Sequence, residues 1–173
     1  EAAQPSEPVT LLGISQGAAA CIAYATKHPD RVARMILYGA YARGKFLQGK
    51  PDVAREYRAV IEVARIGWGS DNPAFRQLFT SRFIPDGTHE QVQWFNDLCL
   101  KTTTGEVFAS LYGARASVDI EASLAEVRVP TLVIHARDDE VIPVAEGRLL
   151  AAGIPGAEFV ELDSRNHILL EDQ

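Results

Sequence analysis

The chain has 173 residues, with 17 basic against 23 acidic side chains and a formal charge of −6. Hydrophobic residues make up 47% and charged residues 23%, which excludes a disordered or fibrous chain and suits a single domain with an insertion. The cations are scattered, so no concentrated basic face offers a footprint for nucleic acid. The two cysteines, Cys21 and Cys99, lie in apolar helical patterns without a C-x-x-C partner, so neither a disulfide framework nor a metal site is expected and a reducing cytoplasm is the default.

Residues Pro8 to Ile14 form a short apolar run ending at glycines, which predicts a fully buried strand of a parallel sheet. The uncharged stretch from Pro8 to Thr26 has the length of a membrane span, but Gly13, Ser15, Gln16 and Gly17 interrupt it, and no basic leader precedes it. A small-residue helix follows from Gln16 to Lys27, with Ala20, Ile22, Ala23 and Ala25 expected to pack on the sheet before His28-Pro29 stops it. Val32 to Tyr38 is a second strand, completing a βαβ unit.

From Ala42 to Leu124 the apolar period becomes helical, and most of the aromatics fall there. Four helices are expected, with buried stripes at Val53, Tyr57, Val60, Ile61 and Ala64, at Phe75, Leu78, Phe79 and Phe83, at Val92, Phe95 and Cys99, and at Val107, Phe108, Leu111 and Tyr112. Thr88 to Gln91 has the form of a capping box. Trp68 and Trp94 are expected in the core of this layer. After Pro130, TLVIHA is a third strand, Val144 to Ala152 a helix ended by Gly153, and Glu158 to Leu162 a fourth strand. The implied organisation is residues 1–41 as core, 42–124 as a helical insertion and 125–173 as core again.

Gly13-Ile14-Ser15-Gln16-Gly17 places a serine between a strand and a helix. A tight turn there would project the hydroxyl clear of the sheet, with Gly13 and Gly17 letting strand and helix approach without Cβ clashes. The helix start would aim the Gln16 N–H at a developing oxyanion. The same pattern also serves as an ordinary glycine-rich turn. A nucleophilic serine needs a base and an orienting acid, and His167 and the adjacent Asp138 and Asp139 follow in the order Ser, Asp, His. Among the other histidines, His28 ends a helix, His89 sits in a first turn and His135 lies within a strand, where a hydrogen-bonded structural role is expected.

The segments PVTLLGISQGAAACIAYATKHPDRVARMILYG, VPTLVIHARDDEVIPV and ELDSRNHILLED resemble the second half of a capped α/β-hydrolase of the esterase, lipase and haloperoxidase-like kind. The resemblance implies an α/β fold with a partial parallel sheet of about four strands and an inserted helical cap. It implies no cofactor and no metal. The acid of such proteins lies four residues before the proline of a D-x-x-x-P turn, which is Asp139 here, and Ala136 stands where a glycine is common. The implied activity is hydrolysis of a small ester or related acyl substrate by Ser15, Asp139 and His167. A second function class stays open: a hydrolase-like ligand-sensing domain of a larger regulatory protein, with little or no turnover. The strands that precede the elbow in such proteins, with their second oxyanion donor, have no counterpart here. The first strand is therefore expected to have a bare edge, covered by further chain, a second copy or a partner segment.

Overall fold

In the computed structural model, which describes residues 7–171, four parallel strands alternate with helices in the expected rhythm. They are β1 (Val9–Ile14), β2 (Val32–Tyr38), β3 (Thr131–Ala136) and β4 (Glu158–Leu162), in sheet order β1-β2-β3-β4. Leu12 pairs with Ile36, and Ile36 with Leu132, so one register runs across the central strands. The helices are α1 (Gly17–Lys27), α2 (Pro51–Gly67), α3 (Ala74–Phe83), α4 (His89–Thr102), α5 (Gly105–Ala116) and α6 (Val144–Gly153). Short 3₁₀ turns occupy Pro29–Arg31 and Glu121–Glu126. No helix among the described residues is long and apolar enough to cross a membrane.

The described residues divide into two compact units. One takes in the chain up to Ala42 with Asp119–Arg137 and Ile142–Asp163, and the other Arg43–Val118, Asp138–Val141 and the residues from Ser164 on. In the first unit, one face of the sheet carries the core. Met35, Leu37 and Val133 pack there against Ala18, Ile22 and Ala25 of α1, Leu124, and Leu150 of α6. Burying each large aliphatic side chain contributes about 1.5–3 kcal/mol. Strand residues alternate between faces, and Leu12 and Ile14 on the other face are 59% and 46% exposed. β1 is thus not the fully buried strand that its apolar run predicts. Helix α1 is also rotated from expectation. Ala18, Ile22 and Ala25, spaced at four and three residues, are buried, whereas Ala20 and Ala23 are exposed.

The second unit is built on aromatics. Tyr57 of α2 stacks on Tyr112 of α5 at 4.5 Å between ring centroids, and Trp68 stacks on Phe108 at 4.1 Å. Phe79 meets Trp68, Phe83, Phe108 and Tyr112. Helix α4 begins with the capping box: the Gln91 N–H donates to Thr88 Oγ1, and the Thr88 N–H to the Gln91 side chain. Three expectations of burial are corrected. Trp94 is 57% exposed against 1% for Trp68, Val107 and Leu111 of α5 are exposed, and α3 buries Arg76 and Thr80 where Phe75 and Leu78 were expected.

Candidate active site

Ser15 is the only non-glycine residue with positive φ among the described residues, at 52°. A left-handed conformation costs a residue with a Cβ about 1–2 kcal/mol, so the surrounding backbone must hold it. It does so at both ends of the peptide. The Ser15 N–H donates to the Tyr38 carbonyl at the end of β2 at 2.8 Å, and the Ser15 carbonyl accepts from the Ala18 N–H at 3.2 Å. Gly13 makes the turn sterically feasible: a Cβ there would lie 2.7 Å from Ala18 Cα and 3.1 Å from Cys21 Sγ. Gly17 does not share this role. A Cβ on Gly17 would meet nothing within 4 Å, so only one glycine of the pair is required by packing.

Gln16 occupies the N-cap of α1 without a side-chain capping bond, and the first turn holds no acidic residue. The positive end of the helix is therefore not neutralised locally. Cys21, one turn along, is partly buried, and burial pushes its thiol pKa above the ordinary value.

In the second unit, His167 and Asp139 form a buried pair. The His167 Nδ1–H donates to Asp139 Oδ2 at 2.6 Å, and Asp139 Oδ1 accepts from the Val141 N–H at 2.8 Å. That carboxylate fixes the imidazole tautomer with its proton on Nδ1. His167 Nε2 is buried and has no hydrogen-bond partner among the described residues. Asp138 is exposed and not engaged with His167; its N–H donates to the Ser164 carbonyl at 3.1 Å.

Several contacts set the orientation of the histidine, and none was visible in the sequence. The His167 N–H donates to the Phe83 carbonyl at 2.8 Å, at the end of α3, and the Phe83 ring stands edge-on to the imidazole at 5.1 Å. The Asp86 N–H donates to Asn166 Oδ1 at 3.0 Å. Arg165 donates to Asp86 Oδ1 at 3.0 Å and to Glu140 Oε1 at 2.6 Å, while Arg82 donates to the Glu140 carbonyl at 2.9 Å. The Glu140 hydrogen bond first, and the Asp86 charge second, hold the Arg165 guanidinium above its usual pKa. The acid loop and the histidine loop are thus tied to each other and to the end of α3. Partners some 80 residues apart in sequence, one of them a backbone carbonyl, leave no local signal.

The remaining histidines are structural or peripheral. His135 is fully buried in β3, with Nε2 2.9 Å from the Ile142 carbonyl, and α6 approaches so closely that a Cβ on Gly147 would fall 2.4 Å from its Nδ1. His28 caps α1, and His89 opens α4. Among the described residues, no group of three or more His, Cys, Asp or Glu side chains is placed to hold a metal ion.

The chain matches the alpha/beta hydrolase fold family over residues 2–173. It is an alpha/beta hydrolase. A pyrrolizixenacetamide deacetylase of Xenorhabdus hominickii is 26% identical over 161 residues, covering 90% of this chain and 57% of the relative. A 2-hydroxy-6-oxononadienedioate/2-hydroxy-6-oxononatrienedioate hydrolase of Cupriavidus pinatubonensis is 28% identical over 161 residues, covering 88% and 53%. Among solved structures, an esterase from Exiguobacterium antarcticum superposes with a TM-score of 0.79 at 23% identity, over 95% of this chain and 61% of that one, and shows the fold. The alpha/beta hydrolase chain spans a little over half the length of these curated relatives, all of them hydrolases.

Proposed function

We propose that this alpha/beta hydrolase chain carries the nucleophile, base and acid of a serine hydrolase that cleaves carboxylic esters or related acyl compounds. The observation that carries the reading is the buried Asp139–His167 pair, whose Nε2 has no partner among the described residues. An imidazole held as the Nδ1–H tautomer, with a shielded and unoccupied Nε2, has the form of a general base awaiting a proton. Two further features support it. Ser15 sits on the strained turn that a nucleophile elbow requires, and Ser15, Asp139 and His167 lie in the loops that leave the ends of β1, β3 and β4, strands of one parallel sheet.

In this mechanism Ser15 Oγ attacks the acyl carbon as its proton passes to His167 Nε2. Asp139 stabilises the imidazolium, and the Gln16 N–H at the start of α1 donates to the tetrahedral oxyanion. Collapse expels the alcohol, which takes the proton from Nε2, and water clears the acyl-enzyme by the same steps. The helical unit itself holds a cavity of about 260 Å³, lined by Leu78, Phe79, Phe83, Tyr112 and Val141 together with Glu56 and Arg82. Phe83 belongs to both that wall and the contacts that orient His167. The relatives, a deacetylase and a hydrolase of an oxo-dienedioate, support hydrolytic chemistry on carbonyl substrates.

The test is fluorophosphonate labelling of the folded chain, with intact mass and peptide mapping. The expected result is one adduct on Ser15, absent in Ser15→Ala and strongly slowed in His167→Ala. A folded chain that takes no label, or that labels equally well without His167, overturns the assignment.

A further inference from the structure

Helices α3 and α4 meet through aromatics, Phe79 and Phe83 against Phe95, and beside these through a buried polar stripe. Thr80 and Asn96 are buried facing each other, with Thr80 Oγ1 donating to Asn96 Oδ1 at 3.1 Å and Asn96 Nδ2 donating to the Val92 carbonyl at 2.9 Å. One turn before Thr80, Arg76 is only 5% exposed. Its Nη1 donates to the carbonyls of Trp68 at 2.6 Å and Ser70 at 2.8 Å, which tie down the end of α2. Those bonds use one nitrogen of three. Nε is buried without an acceptor, and no carboxylate lies within ion-pairing distance of the guanidinium among the described residues. A buried cation with donors to spare and no counter-ion is costly, which calls for a partner.

The space beside it supplies room for one. Arg76 lines a cavity of about 480 Å³ between α3, α4 and the loop that joins α2 to α3, within the size range of small-molecule sites. The cavity is also lined by the amides of Gln77, Gln93 and Asn96, the carboxylates of Asp71 and Asp97, the His89 imidazole and the apolar Val92 and Leu100. None of these residues lines the cavity beside Phe83. One buried cation and two rim carboxylates give the walls both signs of charge, with a net excess of negative. A dianion such as phosphate is disfavoured by that excess, and an apolar ligand would leave the guanidinium without a counter-charge. A molecule bearing both charges satisfies both walls.

We infer that this cavity is a second binding site, for a small zwitterion of the α-amino-acid type. Its carboxylate meets the Arg76 guanidinium where that side chain lines the cavity, its ammonium faces Asp71 and Asp97, and a polar side chain meets the glutamine amides. A charge-assisted bond to a guanidinium is among the stronger polar contacts, so Arg76 carries the largest share of the affinity.

The experiment is a titration of the ¹⁵N-labelled chain with L-glutamine, with acetate and methylamine as half-ligands carrying one charge each. Saturable amide shifts confined to Gly69–Gln77 and His89–Leu100 are expected at millimolar concentration, with affinity at least about tenfold weaker in Arg76→Gln. Since Arg76→Gln removes bonds that hold α2, the exposed double variant Asp71→Asn/Asp97→Asn is measured alongside, and weakening of several-fold is expected there too. No saturable shift with L-glutamine, shifts centred elsewhere, acetate binding as tightly as L-glutamine, or full affinity in the double variant would each overturn the inference.

Discussion

Replacing Asp139 by asparagine tests the proposed base without changing its volume. Among its partners, Asp139 accepts hydrogen bonds from His167 Nδ1–H at 2.6 Å and from the Val141 N–H at 2.8 Å. An asparagine can keep its carbonyl oxygen on only one of these two bonds. Keeping the Val141 bond turns the amide NH₂ toward Nδ1, which must then give up its proton and accept. The imidazole proton moves to Nε2, and the nitrogen that should take the Ser15 proton becomes a donor. Turning the amide over instead leaves two donors, the NH₂ and the Val141 N–H, facing each other in a buried loop. Loss of the correct tautomer in a Ser-His-Asp site lowers turnover about 10⁴-fold, equivalent to roughly 5 kcal/mol of transition-state stabilisation. We therefore expect Asp139→Asn to slow both fluorophosphonate labelling and p-nitrophenyl acetate hydrolysis by about 10³- to 10⁴-fold, with KM little changed. Asp138→Asn, at the exposed neighbouring position, should stay within twofold of the parent. An Asp139→Asn variant that keeps a tenth or more of the parental rate, or an Asp138→Asn variant that loses it, would refute the reasoning.

The two glycines of the elbow should respond in opposite directions. Gly13→Ala forces backbone apart at 2.7 Å and is expected to cost about 1–3 kcal/mol, whereas Gly17→Ala, with open space around it, should stabilise by about 0.4–1 kcal/mol; thermal melts of the two variants check both signs. Glu161 accepts hydrogen bonds from Arg137 and Arg148, and these hold its carboxyl pKa below the ordinary 4.5. A depressed folded pKa means that the stability it brings is present above about pH 4.5 and is lost as pH falls further, so Glu161→Gln should flatten the acid limb of a melting-temperature profile; an unchanged profile would count against this coupling. Burial pushes the Cys99 thiol up to about 11, so iodoacetamide at pH 8 should alkylate Cys21 well before Cys99, and peptide mapping reads the order directly.

Local chemistry wrote much of this molecule into its sequence. Apolar runs bounded by glycine and proline placed all four strands, because a strand needs only a few β-competent residues and a stop. The capping box at Thr88 was readable because both of its hydrogen bonds join residues three apart. The resemblance to α/β-hydrolases, through their D-x-x-x-P turn, implied Asp139 rather than Asp138, and Asp139 is the aspartate that hydrogen-bonds His167. Periodicity was half right on helix α3, where Phe83 is buried and Phe79 half-buried as its stripe predicts. Its apolar stripe pointed to Phe75 and Leu78, but the helix turns Arg76 and Thr80 inward, toward carbonyls at the end of α2 and the side chain of Asn96. A hydrophobic pattern cannot register a polar interface whose partners lie on other helices.

Short-range spacing therefore decided the order of strands and helices, the tight turn at Ser15 and the candidates Ser15, His167 and the Asp138-Asp139 pair, while the resemblance to α/β-hydrolases picked Asp139 from that pair. Only the tertiary structure decided which of Gly13 and Gly17 is sterically required, which face of α1 and of α3 is buried, and how the Phe83 carbonyl, Asp86 and Arg165 orient the His167 loop. Those outcomes depend on distances between atoms that the chain brings together from far apart, and no window along the sequence contains both partners.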